Sequence, residues 1–210
     1  MNSTQQHQIT SVLTDLFHDS RNDHIKMMKG VAKSIFRPLQ PSDFEEAYLS
    51  ISKEQGAHLV TLITENECRR IVEFGTSFGI STLYLAQGAL ETGGHNITTE
   101  LLESKALKAS ENFRKAGVDH LIELRTGDAM ETLAHHPEPI DLLLLDGWKD
   151  LYWPLFEMLE PYFHANTLTY VDNADMSETQ LFLELVAQRK QYELQALHKG
   201  KVVLIRKKIA

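Results

Sequence analysis

The chain has 210 residues and a formal net charge of −8, which argues against a nucleic-acid-binding surface. Hydrophobic residues make up 42% and charged residues 24%, so a packed core is expected rather than disorder. No apolar run approaches the ~20 residues needed to span a bilayer, and the single cysteine, Cys68, has no partner for an internal disulfide. The polar start, Met1 to Gln8, lacks the charged and apolar regions of a secretion signal. A cytoplasmic protein that acts on neither nucleic acid nor membrane is expected.

Ile9, Val12, Leu13, Leu16 and Phe17 fall at helical spacing. A second helix fits His24 to Ile35, stopped before Pro38. Ser42-Asp-Phe-Glu45 has serine followed three residues later by glutamate, so a helix start is expected there. Gly56 to Ile63 reads as a helix leading into a sheet, and Cys68 is expected to pack just before the first strand. From Arg70 the chain alternates. Strands are expected at Ile71–Phe74, Asn96–Thr99, Ile122–Thr126, Ile140–Leu145, Thr167–Val171, Tyr192–Ala196 and Val202–Arg206. Helices fit between them at Ser81–Ala89, Glu103–Ala116, Ala129–Ala134, Tyr152–Tyr162 and Ser177–Lys190. Such alternation predicts an α/β fold with a mostly parallel seven-stranded sheet covered on both faces. Ile140-Asp-Leu-Leu-Leu-Leu145 is nearly continuous in apolar residues, as a doubly buried central strand should be. Only His198-Lys-Gly-Lys201 joins the last two strands, which predicts an antiparallel hairpin. The division is a helical extension over residues 1–66 and an α/β core over residues 67–210, read as one unit because no linker or repeat separates them.

The most informative stretch is Arg70-Ile-Val-Glu-Phe-Gly-Thr-Ser-Phe-Gly-Ile-Ser-Thr82, a strand running through a glycine turn into a helix. Such a turn lets backbone approach a ligand and offers unpaired N–H groups. The dinucleotide fingerprint needs glycines two and five residues after the first, but Ser77 and Ile80 stand there. Glu73 would repel a phosphate and would suit a cationic or hydroxyl-rich ligand. A plain strand-to-helix turn fits the same residues.

Polar residues recur at later strand ends, where open α/β sheets bind ligands. Glu100 stands where a carboxylate can hold ribose hydroxyls. Gly127 and Asp128 follow the third strand, and Asp128 could accept from an adenine amino group. Asp146-Gly-Trp-Lys149 follows the fourth strand, and Asp172 and Asn173 follow the fifth. Five such ends in succession point to a nucleoside-like ligand. Asp146, Asp172 and Asn173 offer hard oxygen donors that suit Mg²⁺, Mn²⁺ or Ca²⁺ rather than Zn²⁺. The alternative for Asp172-Asn173 is a turn or cap. Lys149 could serve as a general base if burial and a nearby cation lowered its pKa, or be a solvated lysine. Trp148 could line an acceptor pocket or belong to the core. The ten histidines, including His135-His136, show no metal-ligand spacing.

Taken together, Val72-Glu-Phe-Gly-Thr-Ser-Phe-Gly-Ile-Ser81, Glu100, Gly127-Asp128, Asp141-Leu-Leu-Leu-Leu-Asp-Gly-Trp-Lys-Asp150 and Val171-Asp-Asn173 resemble the S-adenosylmethionine-dependent O-methyltransferases related to catechol O-methyltransferase, the bacterial members above all. The resemblance runs from about Tyr48 to Lys207 and implies a Rossmann-like class I methyltransferase domain. It implies that Glu73, Gly75, Thr76 and Ser81 line the methionine part of the cofactor. Glu100 would hold the ribose, and Asp128 and Ala129 would border the adenine. Asp146, Asp172 and Asn173 would bind Mg²⁺, with Asp146 also near the methionine end, and Lys149 would take the proton from the acceptor hydroxyl. Tyr48 to Gly56 would close over the cofactor, with Ile51 as a backbone contact.

The chain departs from the family pattern in two places. Gly147 stands where the catechol enzyme has a histidine, and Val202 aligns with a glutamate that holds the second substrate hydroxyl there. These departures leave the acceptor open beyond a small, possibly catechol-like, hydroxylated molecule. A non-catalytic S-adenosylmethionine-binding protein with a regulatory or assembly role is the alternative function. The N-terminal helices could cover the acceptor pocket or pack in a homodimer.

Overall fold

The computed structural model describes residues 3–33 and 37–208. Met1 and Asn2 of the polar start, and Ser34 and Ile35 at the end of the second expected helix, lie outside the described residues. The helices are α1 (Ser3–Asp19), α2 (Asp23–Ala32), α3 (Lys53–Glu65), α4 (Ile80–Thr92), α5 (Glu103–Lys115), α6 (Ala129–Thr132), α7 (Tyr152–Leu159) and α8 (Ser177–Gln188). The strands are β1 (Arg70–Phe74), β2 (His95–Glu100), β3 (Ile122–Thr126), β4 (Ile140–Leu145), β5 (Phe163–Asp172), β6 (Tyr192–Leu197) and β7 (Val202–Lys207). Among the described residues no helix is long and apolar enough to cross a membrane.

The strands form one sheet in the order β3-β2-β1-β4-β5-β7-β6. β1 to β5 run parallel, and β7 is antiparallel to both β5 and β6. The order reverses between β1 and β4, and such a reversal opens a crevice beyond the strand ends. Register decides what meets there. Phe74 pairs with Leu145, so Gly75 and Asp146 emerge side by side. Leu145 pairs with Val171, which brings Asp146 beside Asp172, and Asp172 pairs with Val202.

Alternate residues of each strand enter two cores. Ile71, Leu142 and Tyr170 pack with Ile9, Leu59, Leu83 and Phe113 from α1, α3, α4 and α5. Val72, Leu143 and Val171 pack with Ala129, Leu155 and Phe182 from α6, α7 and α8. Each fully buried Leu or Phe contributes about 1.5–3 kcal/mol. All six residues of β4 are buried, in keeping with its apolar run. Cys68 is buried as well, and burial, with Asp141 adding to it, pushes its thiol up to about 12. It packs and is no thiolate.

Four local expectations are corrected. Ser42–Glu45 starts no α-helix. Pro41–Phe44 is a single 3-10 turn capped by Gln40 and Asp43, because Arg37 and Lys33 hold the Asp43 carboxylate at 2.6 and 3.1 Å. The operative capping box lies ten residues on. Ser52 Oγ accepts from Gln55 N and Gln55 Oε1 accepts from Ser52 N, so α3 begins at Lys53 and not at Gly56. The helix expected to reach Tyr162 ends at Leu159 in a 3-10 turn, Glu160–Tyr162, because Pro161 has no N–H to continue the ladder. The described α6 also stops at Thr132, short of Ala134.

Candidate active site

The glycine turn is built by close backbone approach. Gly75 has φ +106°, and a Cβ on it would lie 2.6 Å from the carbonyl oxygen of Asp146. The N–H groups of Gly75 and Thr76 both donate to Thr99 O, at 3.3 and 3.0 Å, and Asp146 N donates to Phe74 O at 2.9 Å. Ser77, at φ +49°, donates its N–H to Glu100 Oε2 at 2.8 Å and its hydroxyl to Tyr48 O at 2.7 Å. Leu102 N donates to the other Glu100 oxygen at 2.9 Å. Tyr48 and Leu49 in turn donate their N–H groups to Asp23 of α2, and Lys105 donates to Ala47 O at 2.8 Å. The segment ahead of α3 is therefore tied to the glycine turn, to α2 and to α5. A cavity of about 330 Å³ between α1 and α5 involves Tyr48, Asp15 and Lys108 but none of the strand-end acids.

The residues expected to meet the cofactor divide by exposure. Gly75, Glu100 and Asp146 are half-buried and Asp128 is exposed. Glu73, Thr76, Ser81 and Ala129 are buried. Glu73 lies deepest of these. It is 0% exposed, and the hydroxyls of Thr82 and Thr98 donate to its Oε2 at 2.6 Å each. Burial pushes its pKa up, opposed by the polar groups of Ser81, Thr82, Thr98 and Asn96. The carboxyl thus supports the turn from below. Thr76 shares a 2.6 Å hydroxyl contact with Thr98 in the same layer. Asp128 accepts from Met130 N at 2.8 Å and caps α6.

Beyond β4 and β5 the expected residues do converge. The carboxyls of Asp146 and Asp172 lie within hydrogen-bonding reach of one another, and the pKa of each is raised. Burial is the main cause for both. Asp172 adds to it for Asp146, while the Asn173 N–H and Lys149 oppose it for Asp172. Asn173 holds φ +56°, a backbone state that asparagine tolerates better than most residues and that turns the chain at the site. Lys149 is half-buried and donates to Gly147 O at 2.9 Å. Tyr152 is fully buried and its hydroxyl reaches Asp172 O at 3.4 Å. Burial and then the two acids push its pKa well up.

The half-buried Asp146 and the buried Asp172 beside a single lysine would leave negative charge to be balanced when both ionise, and the Asn173 amide would complete an all-oxygen donor set. That chemistry fits a hard divalent cation. Among the described residues no three His, Cys, Asp or Glu side chains gather into a metal-binding group, and here asparagine would supply the third donor.

Both departures from the family pattern have a physical setting. A Cβ on Gly147 would lie 2.5 Å from the Phe74 ring, so that ring fills the space beside it. Val202 is fully buried in the β5–β7 ladder. Gln55 went unnoticed in the sequence, yet its Nε2 donates to Asp172 Oδ1 at 2.5 Å. The Ser52-Lys-Glu-Gln55 capping signature was there to find it.

A sheet of this order and hairpin direction, with acids gathered at its switch point, defines a Rossmann-like methyltransferase fold. Comparison with known proteins agrees. Residues 72–174 match the family model described as a methyltransferase domain. The chain is 32% identical over 129 residues to catechol O-methyltransferase of Niastella koreensis, covering 60% of this chain and 58% of that protein. It is 35% identical over 103 residues to catechol O-methyltransferase of Mycobacterium tuberculosis, covering 49% and 46%. The chain thus spans about half the length of these curated relatives. In fold it is similar to the O-methyltransferase from Bacillus cereus in complex with SAH, with a TM-score of 0.69, 23% identity and coverage of 87% and 97%. The O-methyltransferase TomG from Streptomyces achromogenes in complex with SAM gives a TM-score of 0.66, 23% identity and full coverage of both chains (100%). These likenesses support a family of S-adenosylmethionine-dependent O-methyltransferases for this chain.

Proposed function

We propose that this protein transfers a methyl group from S-adenosylmethionine to a hydroxyl of a small acceptor, with Mg²⁺ held by Asp146, Asp172 and Asn173. The observation that carries this is the pairing of the half-buried Asp146 with the buried Asp172, with Lys149 beside them, at the sheet's switch point. When bound, S-adenosylmethionine supplies a methyl group already activated on a sulfonium, and Mg²⁺ supplies a Lewis acid that lowers the pKa of the acceptor hydroxyl.

This chain's residues do the rest. Lys149 takes the hydroxyl proton, its long stem allowing Nζ to leave Gly147 O. Glu100 receives the ribose hydroxyls with a carboxylate already oriented by Ser77 and Leu102. Asp128 and Ala129 border the adenine, and Gly75 lets the methionine end approach the turn. Glu73, Thr76 and Ser81 stiffen that turn from beneath. Most of the rate gain then comes from positioning donor and acceptor in line. The relatives named catechol O-methyltransferase suggest phenolic acceptors. Phe74 and Val202 offer no polar group for a second hydroxyl, so a lone hydroxyl suffices in this scheme. Residues 1–66 act as a helical cap on the core of residues 67–210, in a cytoplasmic enzyme.

The test is calorimetry with S-adenosylmethionine, with and without Mg²⁺, followed by methyl transfer to a panel of mono- and dihydroxylated aromatics. Micromolar binding and turnover that stops in chelator support the proposal. Full activity of Asp146→Ala and Asp172→Ala in chelator would remove the metal. Binding with no turnover on any acceptor would favour a non-catalytic binder, and no binding by folded protein would end the proposal.

A further inference from the structure

Gln55 is 7% exposed, and the two ends of its amide have different partners. Oε1 accepts the Ser52 N–H at 2.8 Å. A backbone N–H can be met only by an acceptor, so the orientation of the amide is fixed and its NH₂ must face the other way. There it donates to Asp172 Oδ1 at 2.5 Å, a buried bond spanning 117 positions of sequence. The helix that carries Gln55 is itself anchored. Leu59 and Ile63 are fully buried. His58 Nδ1 and His198 Nε2 share a 2.9 Å hydrogen bond to the β6–β7 turn, and Lys201 O of that turn accepts from Ala174 N at 2.8 Å, just past Asn173. Helix start, hairpin turn and acid pair thus form one bracket.

We propose that Gln55 is a positioning residue for the cation site. It holds one oxygen of Asp172 and leaves the second to serve the divalent ion beside Asp146 and Asn173. This rests on the proposed function, in which Asp172 is a cation ligand. Carboxylate ligands need such partners, and losing one weakens metal affinity by about 10- to 100-fold. If Gln55 merely capped α3, its loss would lower stability and leave cation affinity alone.

The experiment titrates Mn²⁺ into the full-length protein without acceptor, read by electron paramagnetic resonance and calorimetry. S-adenosylhomocysteine binding is measured on the same samples. Gln55→Met removes both amide ends at similar volume. Gln55→Asn keeps an amide at the helix start but is one methylene too short to reach Asp172, and it carries the test if Gln55→Met does not fold. Both are expected to bind Mn²⁺ about 10- to 100-fold more weakly with S-adenosylhomocysteine affinity unchanged. Ser52→Ala, which removes the capping hydroxyl but leaves the Gln55 amide in place, is expected to melt earlier with Mn²⁺ affinity unchanged. Variants of Gln55 that bind Mn²⁺ like the parent would overturn the inference, as would an equal loss of S-adenosylhomocysteine binding. A parent that binds S-adenosylhomocysteine but no Mn²⁺ would overturn the metal part of the proposed function together with it.

Discussion

Gly75 and Asp146 stand so close that a Cβ on the glycine would lie 2.6 Å from the aspartate's carbonyl oxygen. The contact follows from the pairing of Phe74 with Leu145 one residue earlier. Gly75→Ala meets two penalties, the clash and a φ of +106°, and the φ strain alone costs about 1–3 kcal/mol. A lower urea midpoint and weaker S-adenosylmethionine binding are both expected. An unchanged midpoint would mean that the turn can relax without cost.

Asp146 and Asp172 repel each other when both are ionised and no cation lies between them. Asp146→Asn is therefore expected to raise the thermal midpoint of the metal-free protein while abolishing its response to Mg²⁺. In the parent, Mg²⁺ at a hundred times its Kd should add about 2.7 kcal/mol of stability. Differential scanning calorimetry with and without Mg²⁺ reads both effects. A parent midpoint indifferent to Mg²⁺ would count against the cation.

Lys149 lies beside the acid pair and donates to the backbone carbonyl of Gly147. As a general base it should matter to turnover and little to binding. Lys149→Met is expected to lower kcat by about 10²- to 10⁴-fold while S-adenosylmethionine affinity stays near the parent value. Steady-state kinetics beside calorimetry separates the two. A variant with parental kcat would assign proton removal elsewhere.

At the opposite end of β4, Asp141 accepts the N–H groups of Arg69 and Arg70, the Arg70 guanidinium at 2.6 Å and the His164 ring at 2.8 Å. Burial alone would raise its pKa, but these donors outweigh it and hold the carboxyl well below the usual range. Because the folded pKa lies below the unfolded value of about 3.9, the stabilisation is fully present above about pH 4 and is lost as pH falls through the folded pKa. Asp141→Asn is expected to cost about 2–3 kcal/mol at pH 7, somewhat less than a fully buried pair because Arg70 is partly exposed. The gap to the parent should begin to narrow below about pH 4 and close only below the folded pKa, so urea unfolding at pH 7 and pH 3 should show a smaller but persisting gap at pH 3.

The alternating pattern, the glycine turn, the hairpin and the acids at strand ends were all legible in the order of residues. Each depends on local chemistry: apolar periodicity, backbone freedom at Gly75, and the shortness of His198-Lys-Gly-Lys201. Asp146, Asp172 and Asn173 could be grouped in advance because strands of a parallel sheet end on one side.

Tertiary structure alone decided what lies between neighbours far apart in sequence. Which strands adjoin, and in what register, set Asp146 against Asp172. Packing of α4 and β2 set Glu73 under Thr82 and Thr98, partners that its place beside Gly75 does not reveal. Ser42 and Ser52 both open sequences that read as capping boxes, and only the second one caps an α-helix. At the first, Arg37 and Lys33 claim Asp43. At the second, Gln55 is held from the far side by Asp172. A local signature names a pattern of possible bonds, and the energies that choose among them come from partners the chain supplies only when folded.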